Sequence, residues 1–304
     1  MTDSTGDTIL ANVTAWRYNP DRPLVHTHIP KCAGTSMQTA LALALRATPV
    51  LGWDLQSFGT FDDWPSVAPE WRARVVGQGL ALPSRPVLVA GEFTPATTMA
   101  AYPDGQHVTL LREPRSRLVS LWDFLRTKPP EDNVLFGSYG TSRAPHAQRG
   151  LAHFLAADLE LEIVDNQYVR MLLWGHPLVR DGRPIDERDD EELLDAAVDV
   201  LLGYAHLDVL ENPAWPARFE AWLGRPFAIG RANETRPSPA ERRADLRAEL
   251  TPAALELMAR WTRLDRELWE HVLQIAMPEA DPREVADTAF EATVDRHAAL
   301  LDGG

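Results

Sequence analysis

The sequence has a single cysteine, Cys32, in 304 residues. A lone thiol excludes an intramolecular disulfide framework and cannot by itself build a thiolate metal site. No stretch approaches 18 uninterrupted apolar residues, so no membrane-spanning helix is expected and no membrane partner. The polar opening Met1-Thr2-Asp3-Ser4-Thr5-Gly6-Asp7 lacks the basic start and apolar run of a secretory signal, which makes a cytoplasmic protein the expectation. Positive charge is scarce too: 30 Lys and Arg stand against 44 Asp and Glu, a formal net charge of −14. That balance opposes a broad grip on nucleic acid or a polyanionic glycan and leaves room for a local basic pocket only. No internal repeat, low-complexity tract or long Pro/Gly/Ser linker divides the chain. One domain is expected over residues 23–304, behind a mobile tail at 1–22.

With 45% hydrophobic residues the chain has material for one large core. Pro23-Leu24-Val25-His26-Thr27-His28-Ile29 reads as a strand, and Ser36 to Arg46 as a Leu- and Ala-rich helix. Further buried strands are expected at 86–91 and 107–111. Pro114 suits the first turn of a helix whose Leu118, Val119, Leu121, Trp122 and Leu125 form a buried stripe. Residues 128–148, rich in Pro, Gly and polar residues, read as an exposed loop or lid. Beyond it, helical patterns at 147–158, 165–174, 190–202, 213–223 and 251–275 alternate with strand-like 207–210 and 227–229. The acidic run 186–192 reads as a solvated helix start. The fold class expected is therefore α/β: one P-loop-like domain with a central parallel sheet flanked by helices and a mainly helical C-terminal half.

Between the first strand and helix lies Pro30-Lys31-Cys32-Ala33-Gly34-Thr35-Ser36. A small-residue loop that opens a helix aims backbone N–H groups and the helix's positive end at one point, which suits a phosphate or sulfate. Gly34 permits close backbone approach, Lys31 adds a movable cation, and Thr35 and Ser36 add hydroxyls. An ordinary N-cap beside an ordinary loop lysine fits the same residues. A second feature is the run from Thr109 to Ser120, in which Arg112 ends a strand and Ser120 follows eight residues later on the next helix. Such a pair can clamp one phosphate, the arginine offering a planar fork. A solvated basic helix start is the alternative, although three arginines near a helix N-terminus oppose its dipole and so hint at an anion.

Together, His28-Ile29-Pro30-Lys31-Cys32-Ala33-Gly34-Thr35-Ser36 and Leu111-Arg112-Glu113-Pro114 through Ser120 resemble two sites of sulfotransferases that use 3′-phosphoadenosine 5′-phosphosulfate (PAPS). The first is similar to the 5′-phosphosulfate loop of the His-Ile-Pro-Lys-Thr-Gly-Gly-Thr-Ser type, related to carbohydrate sulfotransferases. The second is similar to the 3′-phosphate site. The resemblance runs more weakly through residues 89–93, 165–170 and 230–235. It departs from the family at Cys32 and Ala33, and at Glu92, where many relatives carry His.

The resemblance implies PAPS as donor, no metal, and a small-molecule acceptor that attacks sulfur in line. Lys31 would steady the leaving oxygen, helped by the loop amides of Cys32, Ala33, Gly34, Thr35 and Ser36, while Arg112 and Ser120 hold the 3′-phosphate. Glu92, at the carboxyl edge of the sheet, is the first choice for the base. A capping or salt-bridged glutamate is its alternative, and His26, on the side of the strand that alternation also gives His28, is the second candidate. Gln167 and Arg170 resemble acceptor-facing positions, and Arg231 and Asn233 sit in a segment that can close over the nucleotide; surface polar residues explain all four as well. Cys32 is either a small loop filler or a redox-sensitive thiol near a helix start. Acceptor identity and oligomeric state leave no mark.

Two rival readings stay open. A kinase would need a Walker loop, in which lysine follows the last glycine, whereas Lys31 precedes Gly34. A nucleotide-binding module without transfer would keep the donor loop and lack a base.

Overall fold

The computed structural model describes residues 17–54, 68–127, 143–230 and 244–302. Strands β1 (Leu24–His26), β2 (Leu88–Val89), β3 (Gln106–Leu111) and β4 (His206–Val209) form one sheet in the order β2-β1-β3-β4. All pairs are parallel, with Val25 opposite both Val89 and His107, and Leu110 opposite Asp208. Parallel pairing demands crossovers, and helices supply them. They are α1 (Gly34–Leu45), α2 (Pro69–Arg72), α3 (Pro95–Ala101), α4 (Pro114–Thr127), α5 (Ala144–Gln148), α6 (Leu151–Ala156), α7 (Gln167–Leu172), α8 (Asp190–Leu202), α9 (Trp215–Leu223), α10 (Leu246–Glu249), α11 (Pro252–Trp261), α12 (Arg263–Ala276) and α13 (Pro282–Asp302). The chain is thus a single α/β domain with a helical second half.

Alternation along the strands sorts the core into two sides. Leu24, Leu88, Val108 and Leu110 pack with Met37 and Leu41 of α1 and Phe219 and Trp222 of α9. Leu111, Leu207 and Val209 pack on the other side with Tyr168 of α7 and Leu264, Leu268, Trp269 and Val272 of α12. Both sheet faces are covered, as apolar parallel strands require. The predicted stripe of α4 is buried in full and meets Phe154, Leu155 and Met258.

Of the expected strands, β1 and β2 are shorter, whereas β3 and β4 keep their length; β1 ends early because Thr27 onward turns into the loop that opens α1. Residues 227–229 form no strand; Phe227 instead packs on Trp215 and Phe219, with ring centroids 6.0 and 4.7 Å apart. The helix expected over 251–275 divides at Thr262 into α11 and α12. Helix α13 had no sequence reading; its apolar residues, half of them alanine, form no clear stripe, and it docks through Thr293, whose hydroxyl donates to Ser116 Oγ at 3.0 Å. The tail expected to be mobile through residue 22 is held from Tyr18 on. Tyr18 N–H donates to the Trp222 carbonyl at 3.1 Å, and Asn19 and Gln106 exchange two hydrogen bonds at 2.7 and 2.9 Å. Residues 1–16 of that tail, and 128–142 of the expected lid, lie outside the described residues. The described end of that stretch is not an exposed loop: 144–148 form α5 with Ala144 and Ala147 buried, and Arg143, fully buried, donates to the carbonyls of Phe154, Ala157 and Leu159. No helix among the described residues is long and apolar enough to cross a membrane.

The buried strand histidines make an acid-sensitive fold. Burial is the main cause that lowers His26 to about 3, His107 to about 4 and His206 to about 3. Unfolding releases them toward the ordinary value of about 6.5, so the unfolded chain binds more protons, and their contribution is full above that value and drains as pH falls. Asp265 works oppositely: burial pushes it up to about 7, so the folded chain alone holds its proton at pH 5 to 6. With His28, lowered to about 4, counted as well, a net uptake of about two to three protons on unfolding is worth about 3–4 kcal/mol per pH unit in that window. Denaturant titrations should therefore show markedly lower stability at pH 5 than at pH 6; equal stabilities would contradict these placements.

Candidate anion-binding site at the carboxyl edge of the sheet

In the strand order, β1 leads outward to β2 on one side, whereas β3 leads to β4 on the other. The crevice between the carboxyl ends of β1 and β3 is thus the topological switch point, where open α/β sheets take ligands. The loop 27–33 leaves β1 there, and Arg112 leaves β3 beside it.

The loop holds an uncommon backbone. Lys31 and Ala33 have φ of +70° and +58°, a left-handed conformation that costs non-glycine residues of order 1–3 kcal/mol each. Ala33 is the N-cap of α1 and offers no side-chain cap. Among the described residues, the amides of Ala33, Gly34 and Thr35 meet no acceptor. Uncapped amides at the start of a 12-residue helix present concentrated positive potential. Gly34 is required by close packing: a Cβ there would lie 1.7 Å from Cδ2 and 2.1 Å from Nε2 of His28.

Of the three arginines at the start of α4, the fold leaves one to the crevice. The Glu113 carboxylate accepts from the amides of Arg115 and Ser116 at 3.1 and 2.8 Å and pairs with Arg115 Nε at 2.7 Å. That cap answers the helix dipole, so the charge repulsion inferred from sequence needs no anion at Arg115. Arg117 is wholly buried; it donates to the Gln167 side chain and to the Ile163 carbonyl. The half-buried side chain of Arg112 makes, among the described residues, one long hydrogen bond, from Nη1 to the Lys31 carbonyl at 3.4 Å.

That contact brings the two sequence motifs, 81 residues apart, into one place. Lys31 Nζ stands 4.1 Å from the centre of the Phe124 ring on α4. Ser120 lies one turn before Phe124 on the same helix face, and no hydrogen bond engages its hydroxyl among the described residues. Lys31, Arg112 and Ser120 therefore border one crevice. Tyr168 locks its floor: the hydroxyl donates to the Arg112 carbonyl at 2.6 Å and lies 3.4 Å from Cys32 Sγ. Sequence reading missed this tie because no local pattern announces a contact across 136 residues. Burial pushes the Cys32 thiol up to about 11 against the pull of Tyr168, Arg117 and Arg112, so this cysteine is a loop filler and not a reactive thiolate.

Glu92 lies at the carboxyl edge beyond β2, where its backbone bridges to Trp53. Its Oε1 stands 4.0 Å from His28 Nε2. His26 and His28 share one side of the chain as expected, their rings stacked at 5.9 Å with planes 12° apart.

Two sequence candidates are placed elsewhere. Arg170 is buried in an ion pair with Asp165 at 2.5 Å and donates to the carbonyls of Arg180 and Arg183, so it fastens the 180–185 segment. Gln167 is buried and accepts from Arg117. Neither presents a face to an acceptor; surface placement, the alternative weighed for both, fails equally. Arg231 and Asn233 lie outside the described residues. Among the described residues, no group of three or more His, Cys, Asp or Glu side chains is placed to hold a metal ion. Compared with known proteins, the chain matches no family model and no curated sequence.

Proposed function

We propose that the protein is a sulfotransferase that moves a sulfuryl group from PAPS to a hydroxyl, or an amine, of a small-molecule or glycosidic acceptor. The observation that carries this reading is the 3.4 Å contact between Arg112 and the Lys31 carbonyl, which joins a helix-start loop and a strand-end arginine in one crevice. Two adjoining sets of anion donors fit a ligand with phosphate groups at both its 5′ and 3′ ends. The open amides of Ala33, Gly34 and Thr35, with Lys31, Cys32 and Ser36, would hold the 5′ end, and Arg112 with Ser120 the 3′-phosphate.

PAPS supplies a sulfuryl group activated by a good leaving phosphate. Lys31 and the α1 amides steady the negative charge that grows on the leaving oxygen, from a backbone already set in place before reaction. Glu92, on the other wall, sets a carboxylate where the acceptor must lose its proton. Tyr168 keeps Arg112 and the loop in register through its hydroxyl.

Calorimetry with adenosine 3′,5′-bisphosphate tests the reading. Arg112→Ala should weaken binding by about 10- to 100-fold, the span of a charge-assisted hydrogen bond lost from a half-buried site. Unchanged affinity would remove the 3′-phosphate site. Tight binding with no transfer from PAPS to phenols, alcohols, sugars or amines would favour a binding module, and Mg²⁺-dependent hydrolysis of ATP a kinase.

A further inference from the structure

His28 stands between the two walls of the crevice. Its ring lies against the start of α1, so close to Gly34 that no side chain fits between them. Its Nε2 points toward Glu92 at 4.0 Å, too far for a hydrogen bond yet within ion-pair range. The ring's other neighbours are the stacked His26 from β1 and the Lys31 ammonium from the loop. The side chain is 14% exposed. An imidazole has one nitrogen able to accept a proton in its neutral form, and a carboxylate nearby steadies the cation that results.

From this placement, and resting on the sulfotransferase reading, we propose that His28 is the group that takes the acceptor's proton, with Glu92 as its positioning residue. As the acceptor oxygen forms its bond to sulfur, its proton passes to His28 Nε2. The bond from sulfur to the bridging phosphate oxygen breaks, and its electron pair leaves with adenosine 3′,5′-bisphosphate. Glu92 does not receive the proton; its charge holds the imidazolium until the product departs.

The surroundings also tie the base to donor binding. In the free protein, burial and then the Lys31 charge lower His28 to about 4, which keeps it neutral but weakly basic. Anionic groups of a nucleotide beside Lys31 offset that charge and raise the basicity of His28, while removal of Glu92 lowers it. His26 is buried, held to about 3, and stays neutral throughout.

Two measurements on the full chain test this. His28→Gln should lower transfer from PAPS to the best acceptor in the phenol, alcohol, sugar and amine panel by about 10²–10³-fold, with adenosine 3′,5′-bisphosphate affinity held within about twofold. Wild-type rates, or an affinity loss that parallels the rate loss, would overturn the assignment. NMR titration of the His28 ring needs no acceptor: its midpoint should rise on adding adenosine 3′,5′-bisphosphate and fall in Glu92→Gln. A midpoint that ignores Glu92→Gln overturns the pairing. Absence of bisphosphate binding by the unaltered protein would instead defeat the sulfotransferase reading, while the Glu92-dependent shift would still report on the pair.

Discussion

Glu92→Gln is expected to cut sulfuryl transfer at neutral pH by about 10²–10⁴-fold, the range lost with a general base or with the carboxylate that supports one. The substitution keeps shape and hydrogen-bonding capacity but removes the charge that faces His28 at 4.0 Å. Without that charge an imidazolium beside Lys31 is poorly tolerated, since its remaining neighbours, a cation and a second histidine, both disfavour it. Adenosine 3′,5′-bisphosphate affinity should hold, because the proposed phosphate contacts come from Arg112, Ser120, Lys31 and the α1 amides and not from Glu92. A pH–rate profile separates the possible origins of the loss. If Glu92 supports His28, the residual activity keeps an acid limb displaced to lower pH; if Glu92 alone takes the proton, the limb disappears. Full activity in Glu92→Gln would remove Glu92 from the chemistry and with it the pairing with His28.

Lys31→Ala should lower turnover by about 10²–10³-fold, with a smaller change in donor affinity. The reason is where charge develops. Arg112 binds the 3′-phosphate before and after reaction, so it contributes alike to ground and transition states, whereas Lys31, with the α1 amides, faces the leaving oxygen, which becomes fully charged only as the sulfur bond breaks. The Lys31 ammonium rests over the Phe124 ring at 4.1 Å, a contact that holds it beside the crevice. Lys31→Arg should recover part of the rate, since charge returns with altered reach. Comparing kcat and bisphosphate affinity across both variants decides the role: a loss confined to affinity would make Lys31 a binding residue only, and wild-type turnover would remove it from the chemistry.

Much of the frame could be read from residue order because it depends on short-range physics. The Leu and Ala run after Gly34 forms α1 by propensity, Pro114 starts α4, and the apolar stripe of α4 is buried position by position. The 190–202 helix agrees to the residue. Less regular segments were harder. The 227–229 run has the apolar character of a strand, but Phe227 finds more contact on the aromatic face of α9 than at a sheet edge. Helix α13 spreads its apolar residues, half of them alanine, without a clear stripe, and it contacts α4, as through Arg115 to Asp287 at 3.0 Å.

The same division runs through the site. Lys31 and its loop, the strand-end arginine and the α/β class follow from the sequence, since a strand, a tight turn and a helix start already fix where backbone amides point. Which arginine faces the crevice does not. Glu113 takes Arg115, the core takes Arg117, and Arg112 remains, a choice made by capping and burial together. Gln167 and Arg170 read as acceptor contacts but are consumed by Arg117 and Asp165, because a buried charge must find its partner inside the fold. The pairing of His28 with Glu92 joins residues from two strand ends, and only sheet pairing sets them 4.0 Å apart. Local order thus determined the loop and the fold class; long-range packing, which no short stretch encodes, decided which side chains were left to act.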